Sequence, residues 1–521
     1  MKFKTRIMST AVAAAVGTFA GAAQAVNMSD DNIGQVLIYP YYTAQQKGTT
    51  ASDTYISVVN SDTVNGKAVK VRFLEGKNSV EVLDFNLYLS PNDMWTATIT
   101  RDGSGNARLR TVDNSCTAPE ILTVAGTSST TAGVERFAPF VNFGYVGDLA
   151  KDDRLARAME GYVEIIQMAD VVPGVLTDGA QGTPALNTFT ASLHNSAGVP
   201  PNCAAIRNAW TSNDYGLPFN DGVRIPTGGL SGAAVVINPL EGTMQNYDAV
   251  AIDNFSATGL HYLPGSIQPQ LSDVNPKVSA VFTGTDVVRT DWGLGVLPPA
   301  MPVSALFLRN QVINEYAVAA APVGLGTDWV VNFPTKRLHL AEVAQANKLP
   351  FTSTAAAANN PLTSTGACEL TTLTSYNREE GTVTTGLNFS PQPTAGTNSL
   401  CWEVNVISMT NGGTTSNVLG SVTQNGSTGG IRMTLNQPFS EGWMRMAFGP
   451  TPSLPTLQQR TAPAASTVRT NIYTGVAGAA AASVYTGLPV LGFAGMSFVN
   501  TGTLANYGGS QSHRYYRSIA P

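Results

Sequence analysis

The side chains able to do chemistry are few and scattered along the chain. Four cysteines, Cys116, Cys203, Cys368 and Cys401, form no CxxC pair, and no histidine stands at metal-ligand spacing from them. An even set of thiols in an exported chain is suited to disulfide formation. Three pairings are open. Cys116–Cys203 with Cys368–Cys401 is preferred because it keeps each bridge within one region, and each bridge would add about 3–4 kcal/mol through chain entropy. Four buried free thiols are the alternative.

The other reactive residues form no catalytic pattern. His194, His261, His339 and His513 are far apart and show neither HExxH nor HxH spacing, so each is read as structural or superficial. Gly229-Leu230-Ser231-Gly232-Ala233 approaches the GxSxG nucleophile elbow but lacks the last glycine. It also leads into a strand-like run where the elbow needs a helix, so it reads as a turn. The adjacent carboxylates Asp30-Asp31, Asp152-Asp153 and Glu379-Glu380 would point to opposite faces of a strand. They therefore do not make the opposed acid pair of a glycosidase. Asp152-Asp153 suits the N-terminal charges of a helix. No P-loop, complete dinucleotide fingerprint, EF-hand or nonapeptide calcium loop is present. No catalytic, cofactor-binding or metal residues are assigned, and no cofactor is expected. Of the six tryptophans, Trp95, Trp329, Trp402 and Trp443 lie in or beside apolar strand-like runs and are expected in a core. A sugar-stacking platform built from the tryptophans, Trp210 and Trp292 included, is the competing use.

The elements that must hold these residues are mostly strands. Val69, Val71 and Phe73 alternate with Lys70 and Arg72; Leu83, Phe85, Leu87 and Leu89 alternate with Asp84, Asn86 and Tyr88. Trp402, Val404 and Val406, and later Ile431, Met433 and Leu435, repeat the pattern. Period-2 alternation puts one face in a core and the other in water. Turn residues such as Asn65-Gly66, Ser90-Pro91-Asn92-Asp93 and Asp102-Gly103 bound the runs, which is the pattern of antiparallel sandwiches. The expected fold is mainly β: two or three antiparallel, Ig-like β-sandwich domains with little helix. The segment 148–160 is a helix candidate, and 336–347 is ambiguous. Three segments, Ile56–Asn60, Ala234–Asn238 and Met496–Asn500, each end an apolar strand at Asn. They are either equivalent strands of repeated units or strands stopped by a residue that tolerates turns. Loops are expected over 124–133, 174–186, 348–367 and 451–464. The expected divisions are 26–130, 131–350 and 351–521.

Export is the most specific signal. Lys2, Lys4 and Arg6 precede an uncharged apolar run, and Ala23-Gln24-Ala25 gives the small-x-small pattern for cleavage before Val26. The run is shorter than the about 20 residues a membrane span needs, and no later run reaches that length. An N-terminal membrane anchor is the competing reading. Loss of the three signal cations takes the formal net charge from −5 to −8, which argues against nucleic acid as a partner. Only 12% of residues are charged, so hydroxyl and amide side chains must supply much of the polar surface.

Five segments, Tyr55–Glu75, Asn78–Thr98, Thr327–Arg337, Tyr376–Gly381 and Gly487–Phe493, together resemble a group of proteobacterial proteins of similar length. These carry a signal peptide and are labelled only as cell surface proteins. The resemblance implies export and carries no activity or site residues. The leading expectation is a non-enzymatic cell-surface or matrix β-protein, structural, adhesive or ligand-binding. Its partners would be cell-envelope components, polysaccharide or further copies of itself, with the periplasm as a further location. The alternatives are a secreted hydrolase of polymers with a loop-built site, and an outer-membrane β-barrel.

Overall fold

The alternating segment Gly66–Glu75 is a strand, and so is Glu81–Leu89; they pair antiparallel with Val69 opposite Leu87 and Val71 opposite Phe85. The computed structural model describes residues 24–47, 50–129, 131–146, 148, 154–174, 187–211, 215, 222–283, 287–292, 299–340, 350–351, 368–384, 386–390, 398–424, 430–448, 458–460, 468–472, 484–503, 505–517 and 519–520. The expected signal through Ala23, Asp152-Asp153 and most of the loops after Gly174, Lys348 and Thr451 lie outside these residues.

Glu160–Val171 joins the same sheet, between Gly66–Glu75 and Val36–Thr43. This eight-stranded sheet faces a seven-stranded one built on Asp53–Asn60, Met94–Arg101, Ala107–Thr111 and Leu230–Asn238. Phe85 of the first sheet packs on Trp95 of the second with ring centroids 5.8 Å apart, and the Tyr39 hydroxyl donates to Ser57 O at 2.6 Å. A second sandwich follows. One sheet holds Gln311–Ala317, Glu369–Tyr376, Glu441–Phe448 and Arg514–Tyr516. The other holds Val323–Asn332, Val404–Asn411, Arg432–Asn436, Phe493–Asn500 and Tyr507–Ser512. Trp329, Met433, Leu435, Met444 and Met446 fill the space between them. Among the described strands, pairing is antiparallel except for Val404–Asn411 with Arg432–Asn436 and Val287–Asp291 with Val468–Ile472. Each described sheet is an open ribbon with two edges.

Hydrogen bonding runs across residues 130 and 350. Ala107–Thr111 pairs with Arg136–Pro139, and Glu160–Val171 pairs with strands before residue 76. Val323–Asn332 pairs with Val404–Asn411, and Gln311–Ala317 with Glu441–Phe448. The two sandwiches also share one buried cluster: Val330, Val404, Val406, Leu419 and Phe493 of the second pack with the core of the first. Across the seam Asn332 donates to Pro40 O at 2.9 Å, Arg337 to Asn78 O at 3.0 Å and Val404 N to Gly76 O at 2.8 Å.

Several details differ from the expectation. Lys70 and Arg72 do not face water, because Gly66–Glu75 is buried on both faces. Arg72 pairs with Glu81 at 2.7 Å and Glu164 at 2.9 Å, and Lys70 with Asp84, so each cation lies against its own carboxylate. The helix candidate contributes only a 3-10 turn, Leu155–Met159, with no side-chain cap, before the strand at Glu160 takes over. The ambiguous segment starts as the short helix Lys336–Leu340. Of the three Asn-terminated strands, Asp53–Asn60 and Leu230–Asn238 are neighbours in one sheet. Asn60, Asn238 and Asn500 each accept a backbone N–H within the next three residues, which is how a short amide closes a turn.

Candidate functional site

Two Ser–His contacts exist, and neither has hydrolase geometry. Ser90 Oγ lies 3.0 Å from His194 Nδ1, and Asp93 Oδ2 lies 3.4 Å from the same nitrogen. In a working triad serine and aspartate use opposite ring nitrogens. Here the Ser90 hydroxyl donates to Ser192 O at 3.0 Å, so Nδ1 must carry the proton between them and cannot take one from Ser90. Ser304 Oγ meets His339 Nε2 at 2.7 Å, but both residues are wholly enclosed and Ser304 also donates to Thr335 Oγ1. The near-elbow at Ser231 is strand, with Ser231 opposite Val59. A Cβ on Gly232 would come within 2.1 Å of the Tyr39 hydroxyl, so that glycine serves close packing between the sheets.

The remaining histidines are also engaged. His513 sits between Asn314 Nδ2 at 3.2 Å and Val330 O at 2.9 Å, and burial holds it down to about 4. His261 packs among Tyr88, Trp210 and Tyr215, and burial lowers it to about 3. Both are neutral at physiological pH. Among the described residues, no three His, Cys, Asp or Glu side chains gather to hold a metal.

Most of the buried carboxylates are spoken for; Glu403 is not, neither of its oxygens having a hydrogen-bond partner among the described residues. Glu75 accepts from Arg157 at 2.7 Å and from the backbone of Lys77, Asn78 and Val80. Asp170 takes Lys67, Gln167 and Thr227; Asp328 takes Ser416 and Leu419 N. Glu160 accepts from Tyr41 at 2.7 Å and Gln45 at 3.2 Å. Of the expected pairs, Asp30-Asp31 and Glu379-Glu380 are exposed in turns. The four cysteines close as Cys116–Cys203 and Cys368–Cys401. Trp95, Trp329 and Trp402 are buried as expected. Trp443 is not: it stands half-buried on the outward face of Glu441–Phe448, stacked on Tyr376 at 4.0 Å and 7°. Its apolar neighbours Met444 and Met446 point the other way, into the core.

What sequence reasoning missed lies at the seam. A cavity of about 160 Å³ opens between the sandwiches. Its apolar wall is Val250, Val312, Val490 and Phe493, with Phe493 stacked on Tyr247 at 4.5 Å. The segment Gly487–Phe493 can thread there because Gly492, at φ +146°, leaves room for Val330 O, which a Cβ would approach to 1.9 Å. The polar end is Arg309, buried, its guanidinium carbon 3.6 Å from the centre of the Tyr515 ring. Arg517 lies on the same ring at 5.6 Å. Both guanidiniums donate to the carbonyls of Leu306 and Leu308, where the buried helix Met301–Phe307 ends. Burial and the neighbouring Arg517 bring Arg309 down to about 9, so it stays charged at neutral pH. No short sequence pattern marks this site; its cue is only that Arg309 follows an apolar helix and Tyr515 precedes Arg517.

Sheets, disulfides and seam define a mainly β protein of antiparallel sandwiches stapled by two bridges, a composition suited to an oxidising, extracytoplasmic setting. Comparison of the chain with family models, with curated proteins and with solved structures finds no match. Among the described residues no helix is long and apolar enough to cross a membrane.

Proposed function

We propose that this chain is an exported protein that works at the cell surface or in the extracellular matrix as a structural, adhesive or ligand-binding component. The observation that carries the reading is the pair of closed disulfides within a body into which Val26 is packed. Val26 is fully buried; its N–H donates to Val278 O at 2.8 Å and its carbonyl accepts from Ala280 at 2.9 Å. Gln24, two residues earlier, is exposed. A leader cut after Ala25 would leave Val26 in the chain, its new amino group still able to donate to Val278 O. The resemblance to signal-bearing surface proteins supports the same reading.

Fractionation with N-terminal sequencing tests it. The expected result is a protein outside the cytoplasm that begins at Val26 and has no titratable thiol until reduced. A cytosolic protein that keeps residues 1–25 would overturn it.

A further inference from the structure

Several buried cations in this fold are matched to carboxylates, while others, such as Lys336 and Arg136, are held by carbonyl and amide oxygens. Lys67 meets Asp62 and Asp170, Arg72 meets Glu81 and Glu164, and Arg157 meets Glu75 and Asp148, all between 2.7 and 2.9 Å. Arg309 and Arg517 share one tyrosine and two carbonyls, and neither has a carboxylate in ion-pair range among the described residues. Two cations drawn together out of water without an anion are unfavourable, and carbonyl dipoles offset only part of that cost. Arg309 uses Nη1 for its two carbonyl bonds, and its Nε and Nη2 hydrogens have no hydrogen-bond partner among the described residues, while the residue lines the cavity. That free edge of the fork has the geometry that binds an oxyanion through two parallel hydrogen bonds.

The rest of the cavity limits what the anion is. Val250, Val312, Val490 and Phe493 line the same cavity, so a ligand that fills the space must carry an apolar body. A water takes about 30 Å³ of liquid, so the 160 Å³ hold roughly five waters or one compact organic molecule. Asp248 and Ser512, both exposed, add polar groups to the lining, and Asp248 stays beyond ion-pair range of Arg309. An anion seated on Arg309 therefore meets one cationic end and one apolar wall.

We propose that the seam cavity binds a small organic carboxylate, its oxygens on the free edge of Arg309, steadied by the charge of Arg517, and its apolar body against Val312, Val490 and Phe493. The site stands on the cavity alone and holds in whichever compartment the chain works, so its failure would leave the proposal of export untouched. The competing role for the two arginines is purely structural, as a cap on the carbonyl end of Met301–Phe307.

Isothermal titration and thermal shift on the full disulfide-bonded chain separate the two. The probes are sodium benzoate, inorganic phosphate and sodium chloride at matched ionic strength. Benzoate should bind with one-to-one stoichiometry and raise the melting temperature, phosphate should bind more weakly, and chloride should do neither. Arg309→Gln should weaken benzoate binding about tenfold or more, with Arg309→Lys losing less. Arg108→Gln, which lies on Phe137 in the first sandwich, should change nothing. If Arg309→Gln does not fold, Val490→Phe fills the apolar wall, keeps both arginines and should also abolish benzoate binding. Absence of binding to the unaltered chain, phosphate binding as tight as benzoate, or binding indifferent to Arg309→Gln or to Val490→Phe would each overturn the proposal.

Discussion

Removal of one disulfide at a time, both cysteines to serine, should separate the two bridges by a predictable amount. Cys116 lies on a short strand at the edge of the eight-stranded sheet, and Cys203 opens the helix Cys203–Thr211. The bridge spans 87 residues and ties that helix to the sheet. The Cys368–Cys401 bridge spans 33 residues and sits beside a strand pairing, Glu369 opposite Leu400, that already holds its ends together. Loop-closure entropy assigns about 4.6 kcal/mol to the longer loop and about 3.7 kcal/mol to the shorter. Unfolding releases about 2 cal/mol/K per residue, or roughly 1 kcal/mol/K for a chain of this length. Cys116→Ser with Cys203→Ser should therefore lower the melting temperature by about 4–5 °C, and Cys368→Ser with Cys401→Ser by about 3–4 °C. Tryptophan fluorescence on heating reads both, because Trp95 lies in the first sandwich and Trp329 in the second. The reasoning fails if neither pair shifts the transition, if the shorter loop costs more than the longer, or if the native protein titrates free thiols before reduction.

Two further predictions concern buried charge. Arg157 is enclosed between Glu75 and Asp148, so Arg157→Ala should cost about 3–5 kcal/mol in denaturant unfolding, and adding Glu75→Gln should recover part of that; additive losses would refute the pairing. Burial raises the Glu403 carboxyl to about 8 from an ordinary 4.5, against the opposing pull of Lys336, so the folded state holds a proton there that the unfolded chain releases. Its contribution to stability is complete below about pH 4.5 and is lost as pH rises to about 8, and Glu403→Gln should flatten the fall in melting temperature across that window. A slope unchanged in the variant would assign the proton elsewhere.

The strands were legible because core formation leaves a local, periodic trace. Val69, Val71 and Phe73 point inward as their alternation implies. The same period could not show that Lys70 and Arg72 are also enclosed, because it reports only that two faces differ. What makes an inward arginine tolerable is Glu164, 92 residues away and brought alongside by strand pairing. Trp443 failed for the converse reason: an apolar run does not say which of its members faces out, and Met444 and Met446 took the core. The cysteines were readable because each bridge joins consecutive cysteines of the chain.

The seam cavity had no such trace, and its existence rests on register. Arg514–Tyr516 pairs with Gln311–Ala317 so that Tyr515 stands opposite Val312, whose side chain points inward, while Tyr516 and Arg514 stand opposite the more exposed Gln311 and Ile313. That choice puts the Tyr515 ring under Arg309 and leaves room for Arg517 on the same ring. A slip of one residue would turn Tyr515 to the outer face and bring Tyr516 or Arg514 inward, since side chains alternate with a period of two. Both arginines would then lose the ring that stacks them. Asn310 N–H donating to Tyr516 O at 2.9 Å and Phe448 N–H donating to Asn310 O at 3.0 Å hold the register at this end of the sheet. Two charges that no nearby acid neutralises are thus held together by backbone pairing rather than by mutual attraction. Lys67, Arg72 and Arg157 are each answered by carboxylates, whereas this pair of arginines faces a cavity and is open to an anion from outside.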